Sequence, residues 1–281
     1  MSRFFKTLGW MFAVVFVAIA FACRANRIKA KFRKYLTDPT SMPIEIRYRA
    51  VYKLAKGALF IKRYKVQSQG AVRLPSIPAL YVANHKSTFD PIVLFKVLYE
   101  NAKVPYFRFI AKQELSDKSY IAAALKLVDT IFIDRENFHT TLTIFQNEIN
   151  FKEDKRTIII FPEGTRVHNP NEIADFHAGC FRIAYDSLVP IIPVVIVGSI
   201  DQDKTTKYEG NYKNKAGVIY THFLKQLKAQ EYANTNINYT TIEIRNRIVK
   251  EYNRIFNLIK DNKPNAHVFN ETDDFSKENR Y

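Results

Sequence analysis

Acidic residues, cysteine and glycine are all scarce in this 281-residue chain. Aspartate and glutamate number 27 against 43 lysines and arginines, a formal net charge of +16. Such an excess points to an anionic partner: nucleic acid, phospholipid headgroups, or a phosphorylated or acidic substrate. Two cysteines exclude a disulfide scaffold and a four-cysteine zinc site. Eight glycines and 11 prolines exclude a collagen-like or low-complexity chain. There is no GxxxxGK[ST] loop, no GxGxxG, no GxSxG elbow and no HExxH. His139, His168, His177, His222 and His267 are scattered, with no metal-ligand spacing. The basic charge carries no nucleic-acid motif, so no nucleic-acid partner is expected and the charge is read as membrane-facing. What the chain does have is 47% hydrophobic and 14% aromatic residues. Its length suffices for one large domain or two small ones, with a core that needs no staple.

Thr7 to Cys23 is an uncharged run, TLGWMFAVVFVAIAFAC. As a helix it would extend about 25 Å, a little short of the ~30 Å hydrocarbon core of a bilayer. Trp10 suits an interfacial position. Arg3 and Lys6 precede the run, and Arg24, Arg27, Lys29, Lys31, Arg33 and Lys34 follow it, which predicts that the body of the protein lies on the cytoplasmic side of the cell membrane. A buried core helix is disfavoured because the run has no polar face. Ala20-Phe21-Ala22 before Cys23 fits a cleaved signal peptide, but the basic stretch beyond would resist translocation. The expectation is a short transmembrane or deeply inserted anchor. Cys23 and Cys180 are not expected to pair.

Residues 24–75 read as amphipathic helix and loop, and beyond them strand and helix patterns alternate. Strands are expected at Ala79–Ala83, Thr130–Ile133, Thr157–Phe161, Val189–Val197 and Val218–Leu224. Helices are expected at Pro91–Leu98, Thr140–Asn150, Gly179–Ser187 and from a Thr240/Glu243 capping box to about Lys260. Asp90 before Pro91 reads as a helix cap. The pattern predicts an α/β fold, a mixed and largely parallel sheet flanked by helices, preceded by a membrane-anchoring helix. The organisation expected is an anchor and basic amphipathic segment over 1–49, a catalytic domain over 50–261 and a polar, frayed tail over 262–281.

Three segments at strand ends could carry chemistry. Asn84-His85-Lys86-Ser87-Thr88-Phe89-Asp90 places a histidine and a carboxylate five residues apart. On a continuous helix they would diverge by about 140°, and on a strand they would face opposite ways. Only a turn leading into a helix start brings them together, and then His85 becomes a general base whose tautomer Asp90 fixes. The bland alternative is a helix cap beside a loop histidine. Phe161-Pro162-Glu163-Gly164-Thr165-Arg166 offers close backbone approach at Gly164 and a planar fork at Arg166 for phosphate, or else a turn with a surface ion pair. Arg135, after Phe132-Ile133-Asp134, could share that phosphate. Pro190 and Pro193 in Val189-Pro190-Ile191-Ile192-Pro193-Val194 are structural, or a wall for an apolar chain.

Together these blocks resemble the glycerophospholipid acyltransferase family, specifically its bacterial 1-acyl-glycerol-3-phosphate acyltransferases, over about residues 50–225. Asn84-His85 through Asp90 is similar to the family's NHx4D motif, and Phe109–Leu115 to the segment after it. Ile131–Arg135, Phe161–Arg166 and Val189–Val194 resemble its second, third and fourth blocks, in order. Asp129-Thr130 departs from the small or glycine residues common before the second block, and His177 stands where lysine is common.

The resemblance implies that His85, oriented by Asp90, deprotonates the sn-2 hydroxyl of a 1-acyl-glycerol 3-phosphate (lysophosphatidic acid). That oxygen attacks an acyl thioester of coenzyme A or acyl carrier protein, and phosphatidic acid forms. Glu163, Gly164, Thr165 and Arg166, with Arg135, would hold the phosphate and glycerol. Backbone amides near Gly164 would be the place for oxyanion donors. No cofactor or metal is implied beyond the acyl-CoA or acyl-ACP co-substrate, and the partners implied are the phospholipid membrane, the lysolipid and the thioester carrier. Glycerol 3-phosphate or another lysophospholipid as acceptor, lipid-to-lipid transacylation, thioester hydrolysis, and a non-enzymatic basic membrane protein stay open at this point.

Overall fold

The structure is a computed structural model that describes residues 2–101, 104, 106–117, 119–134, 149, 151–200, 217–260 and 268–269, with side chains from Ile19 onward except those of Ser119, Lys152 and Glu153. Its centre is a seven-stranded sheet in the order β1-β7-β6-β2-β5-β3-β4. The strands are β1 Lys65–Gln69, β2 Leu80–Ala83, β3 Phe107–Lys112, β4 Ile131–Ile133, β5 Thr157–Ile160, β6 Ile191–Val197 and β7 Val218–Phe223. Every pairing is parallel except β6 with β7. The mixed, mostly parallel sheet flanked by helices is the architecture expected from the alternating pattern.

The central strands read as unbroken apolar runs because both their faces are covered. Every residue of β2, β5 and β6 is buried. Side chains alternate between two cores. Tyr81 and Ala83 of β2 join a cluster with Tyr48, Val93, Leu94 and Leu98. These come from helix α2 (Ile44–Ile61) and helix α3 (Asp90–Glu100). Leu80 and Val82 face the other way, onto Ile244, Ile248, Tyr252 and Ile255 of the C-terminal helix Ile237–Ile259. That helix repeats its apolar residues every three or four positions, which turns one stripe to the sheet.

Helix α1 runs from Ser2 to Thr37 and packs on α2 and on α4 (Ser119–Leu127). Most of the apolar run of residues 7–23 has side chains outside the described ones. Among the described residues no helix is long and apolar enough to cross a membrane. Helix α2 runs across residue 49, the expected domain boundary, and is tied to the sheet beyond it. Tyr48 is fully buried with its hydroxyl on the Phe107 carbonyl, and Arg47 donates to the Leu127 carbonyl at 2.8 Å and to Asp129.

Several local expectations change. β1, Lys-Val-Gln-Ser-Gln, was not anticipated within the segment 24–75; as an edge strand it needs no apolar run. The C-terminal helix begins at Ile237, not at Thr240. Asn236 caps it by accepting the Asn238 amide at 2.8 Å, while the Thr240 hydroxyl lies inside the helix with Tyr185 and Thr235. Gly179–Ser187 divides into a 3-10 turn, Ala178–Phe181, and a short helix, Arg182–Ser187. The helix expected at Thr140–Asn150 lies outside the described residues except for Ile149, as does most of the tail. Val268 and Phe269 of that tail are buried, with Phe269 against the rings of Tyr220 and His222. Cys23 and Cys180 form no disulfide with each other.

Candidate active site

β2 and β5 are adjacent and parallel, so the segments that follow them emerge side by side at their carboxyl ends, where open α/β sheets place their sites. Asn84 sets the exit from β2. Its side-chain amide donates to the Ile196 carbonyl at 2.9 Å and accepts the Ile196 amide at 2.8 Å. One carboxamide thus substitutes for a peptide group and continues the ladder to β6 one step past the end of the strand. The chain then turns through 85–89 into α3.

That turn brings His85 and Asp90 together. His85 Nδ1 and Asp90 Oδ2 are 2.9 Å apart. The His85 side chain keeps 18% of its surface exposed, while Asp90 has none. With Nδ1–H donating to the carboxylate, Nε2 carries the lone pair and can accept a proton. Asp90 is not the helix cap the sequence suggested. The helix starts at Asp90 itself, and the carboxylate looks backward, with Oδ2 accepting the amides of Lys86 at 2.6 Å and Ser87 at 2.7 Å. Oδ1 accepts the hydroxyl of Ser199, a buried residue just beyond β6. Every one of these contacts is a donor, so the carboxylate is fixed on both oxygens.

His85 is gripped as firmly through its backbone. Its amide donates to Glu163 Oε1 at 2.7 Å, and its carbonyl accepts the Val167 amide at 2.9 Å. Its ring stacks on Phe161, with centroids 4.3 Å apart. The segment after β5 is therefore the mould in which the histidine sits. Glu163 is 4% exposed, and its second oxygen accepts the Ala174 amide at 2.9 Å. Burial pushes its carboxyl above the usual carboxylate range, against the two amides and the charges of Lys86 and His85. Both its oxygens thus accept backbone amides, so this structure places the Glu163 carboxylate against His85 and Ala174.

Gly164 has φ +70°, and a Cβ there would lie 3.2 Å from the His177 ring. The positive φ favours a glycine, and a side chain there would also press on the exposed His177 ring. The Gly164 amide closes the turn onto the Phe161 carbonyl at 3.1 Å. Thr165 and Arg166 follow on the exposed surface of the loop. Arg135 lies outside the described residues. Pro190 and Pro193 are both buried at the start of β6. On the β7 side, Ile191 exchanges two backbone bonds with Leu227, and Pro193 contributes only its carbonyl, to Leu224. Pro193 is thus part of the sheet, and Pro190 lies just before it with its carbonyl accepting the Leu80 amide at 2.9 Å. Among the described residues no cluster of three or more His, Cys, Asp or Glu could hold a metal ion.

Ser199, Val167, Ala174 and Lys86 belong to this site but were not singled out in the sequence. Ser199 lies 109 residues from Asp90 in the chain, and nothing local announces the contact. The stacked ring of Phe161 was visible only as part of its block.

A buried carboxylate and a largely buried histidine, 18% exposed, at the open end of a parallel sheet form the kind of pair that can act as a general base. The acyltransferase family model matches residues 65–197, which contain His85, Asp90 and Glu163 and end two residues before Ser199. The chain belongs to the acyltransferase family. It is 34% identical over 213 residues to a probable 1-acyl-sn-glycerol-3-phosphate acyltransferase of Mycoplasma genitalium, covering 73% of this chain and 78% of that one. It is 37% identical over 175 residues to a protein of the same name from Mycoplasma pneumoniae, covering 62% of this chain and 65% of that one, just under two thirds of its length. The crystal structure of the 1-acyl-sn-glycerophosphate acyltransferase PlsC from Thermotoga maritima superposes with a TM-score of 0.65 at 19% identity, covering 90% of this chain and 97% of that one. It shares the fold.

Proposed function

We propose that this protein transfers a fatty acyl group from a thioester, carried by coenzyme A or acyl carrier protein, to the sn-2 hydroxyl of 1-acyl-glycerol 3-phosphate, forming phosphatidic acid. The observation that carries the reading is the 2.9 Å pair of His85 and Asp90 in a chain of the acyltransferase family. The acceptor hydroxyl approaches Nε2 of His85, which takes its proton as the oxygen attacks the thioester carbonyl. The imidazolium that forms is stabilised by the buried carboxylate of Asp90. The tetrahedral adduct then collapses and expels the thiolate, which recovers a proton from the imidazolium. Arg166, with Arg135, receives the phosphate of the acceptor, for which a guanidinium offers a charged fork. Glu163 keeps His85 in place and does not touch the acceptor.

Both lipids partition into bilayers, and the proposed site of action is the cytoplasmic membrane surface, with residues 7–23 inserted there. Two features support this placement. A cleft of about 490 Å³ between α1 and α2 is lined by Arg24, Arg27, Lys31, Arg49 and Lys53 without an acidic residue. Ile19, Ile46 and Phe60 on the same two helices expose apolar surface. Cations beside apolar side chains suit an anionic lipid surface.

The test is transfer of a labelled acyl group from thioester to 1-acyl-glycerol 3-phosphate in lipid or detergent. Wild type should form phosphatidic acid and a folded His85→Ala variant should lose roughly 10²–10⁴-fold in rate, the range a positioned general base supplies. Thioester loss without a lipid product would replace acyl transfer by hydrolysis.

A further inference from the structure

Lys86 follows the catalytic histidine and is fully buried, 0% exposed. A buried ammonium is costly unless its hydrogen bonds are met. Here main-chain carbonyls meet them. Lys86 Nζ donates to the Asn169 carbonyl at 2.9 Å and to the Glu172 carbonyl, and it lies 5.2 Å from the centroid of the Tyr252 ring. The Tyr252 hydroxyl donates to the carbonyl between them, that of Pro170, at 2.8 Å. Arg245, two turns earlier on the same C-terminal helix, donates to the carbonyls of Ile173 at 2.7 Å and Ala174 at 2.9 Å. Five carbonyls of segment 169–174 are thus collected by three side chains.

The segment supplies one group to the site, the Ala174 amide that holds Glu163 Oε2, while Glu163 Oε1 holds the His85 amide. The path closes on itself: His85 to Glu163, Glu163 to Ala174, along the segment to Glu172 and Asn169, through Nζ to Lys86, and by one peptide bond back to His85. A methionine could fill the same volume without the cost of burying a charge, but would take the ammonium donor from both carbonyls, leaving that of Asn169 only the Glu172 amide at 3.3 Å.

We propose that Lys86 is a positioning residue for acyl transfer, whose ammonium draws in segment 169–174 so that Glu163 holds His85 in register with Asp90. The inference rests on the acyl-transfer reading for its kinetic readout, but not for its structural one. It has a pH signature. Glu163 from the β5 turn, Asp90 of α3 and Glu172 of the segment all favour the charged ammonium, and the Tyr252 ring face is the remaining neighbour, with His85 adjacent in the chain. Burial outweighs them and pushes Lys86 down to about 8. Above that pH the ammonium loses its charge and one of its three donors, so kcat should fall on the alkaline side while the KM of the acceptor stays nearly constant.

The experiment measures kcat and KM from about pH 6 to 10, together with hydrogen exchange of the peptide spanning residues 169–176, in the full-length protein and in Lys86→Arg and Lys86→Met. Arginine holds its proton throughout this range. The expected result is that Lys86→Arg loses the alkaline decline and Lys86→Met loses about tenfold or more in kcat, with no decline near pH 8 and faster exchange of the segment. A folded Lys86→Met with wild-type kcat, an intact alkaline decline and unchanged exchange would overturn the proposal. Should Lys86→Met not fold, Arg245→Met probes the same path from the helix side. Faster exchange and lower kcat at constant KM would support it, and neither change would overturn it. If wild type proved to transfer no acyl group, the reaction assigned above would fall, whereas loss of exchange protection in Lys86→Met would still establish the link.

Discussion

Replacing Glu163 by glutamine separates two roles for this residue, one implied by family resemblance and one by geometry. If Glu163 bound the acceptor, the loss would appear in KM. The structure instead has its two oxygens accepting from His85 at 2.7 Å and Ala174 at 2.9 Å. A carboxamide keeps one acceptor and turns the other position into a donor that faces an N–H. One bond is lost, and one buried amide is left unpaired, which costs about 1–3 kcal/mol. If the side chain keeps Ala174, the His85 amide is released and the imidazole drifts from its bond to Asp90. If it keeps His85, the segment holding it loosens. Either way the loss falls on the placement of the base, and a displacement near 1 Å can cost about 10²-fold in rate. Glu163→Gln should therefore lower kcat by about 10- to 100-fold with the acceptor KM changed by less than about threefold. The assay is initial rate against lysophosphatidate concentration at saturating thioester, with thermal unfolding in parallel. A KM raised about tenfold or more at unchanged kcat would refute the positioning argument and return Glu163 to the acceptor site.

Two further variants test the frame. Ser199→Ala removes the donor to Asp90 Oδ1, while three contacts remain on Oδ2. The expected loss is about 1 kcal/mol, or roughly fivefold in kcat, at unchanged melting temperature, and unchanged kcat would show that the backbone amides alone orient the carboxylate. Asp129→Asn disturbs a cluster in which Asp129 accepts from Arg47 at 2.8 Å, Tyr35 at 2.9 Å and Arg156 at 2.5 Å. Burial acts to raise the Asp129 carboxyl, but these hydrogen bonds and charges win and hold it below the usual range. A depressed folded-state value stabilises the protein above the ordinary aspartate range and is lost as pH falls through the folded value. Wild type should therefore lose stability below about pH 4. Asp129→Asn should be less stable by about 2 kcal/mol at neutral pH and show a smaller drop on acidification, by thermal unfolding across that range. Equal acid sensitivity in both would refute the assignment.

The legibility of this chain follows from the range of each interaction. β2, β5, β6 and α3 could be read because their signals are local: short unbroken apolar runs, and a proline one position into a helix. β1 could not, because Lys-Val-Gln-Ser-Gln at a sheet edge needs only a neighbour, and that neighbour is β7, whose Val218 pairs with Lys65. Asp129 is intermediate. A glycine or small residue is common at this place in the family, and the structure gives a physical reason, since Asp129 has φ +51°. Here an aspartate occupies a backbone conformation that favours glycine, and its strain is offset by the three side chains that bind it.

The His85–Asp90 pair shows where local reading stops. Spacing alone established that a turn into a helix start was needed, and that turn is present. It did not establish which way the carboxylate would face. A capping aspartate would point along α3 and abandon the histidine; this one points back because the Lys86 and Ser87 amides and the Ser199 hydroxyl converge on it. The histidine is likewise held by Glu163 and Val167 through its own peptide groups, and by Phe161 through its ring. A base placed by backbone contacts from a neighbouring strand's loop has little freedom to lose when the acceptor binds, so binding energy need not be spent on orienting it. The holding residues outside the turn lie 76 to 109 positions from the pair members they hold, from Phe161 against His85 to Ser199 on Asp90. The motif therefore identifies the chemistry, and the sheet, by setting β5 and β6 on either side of β2, makes the chemistry possible.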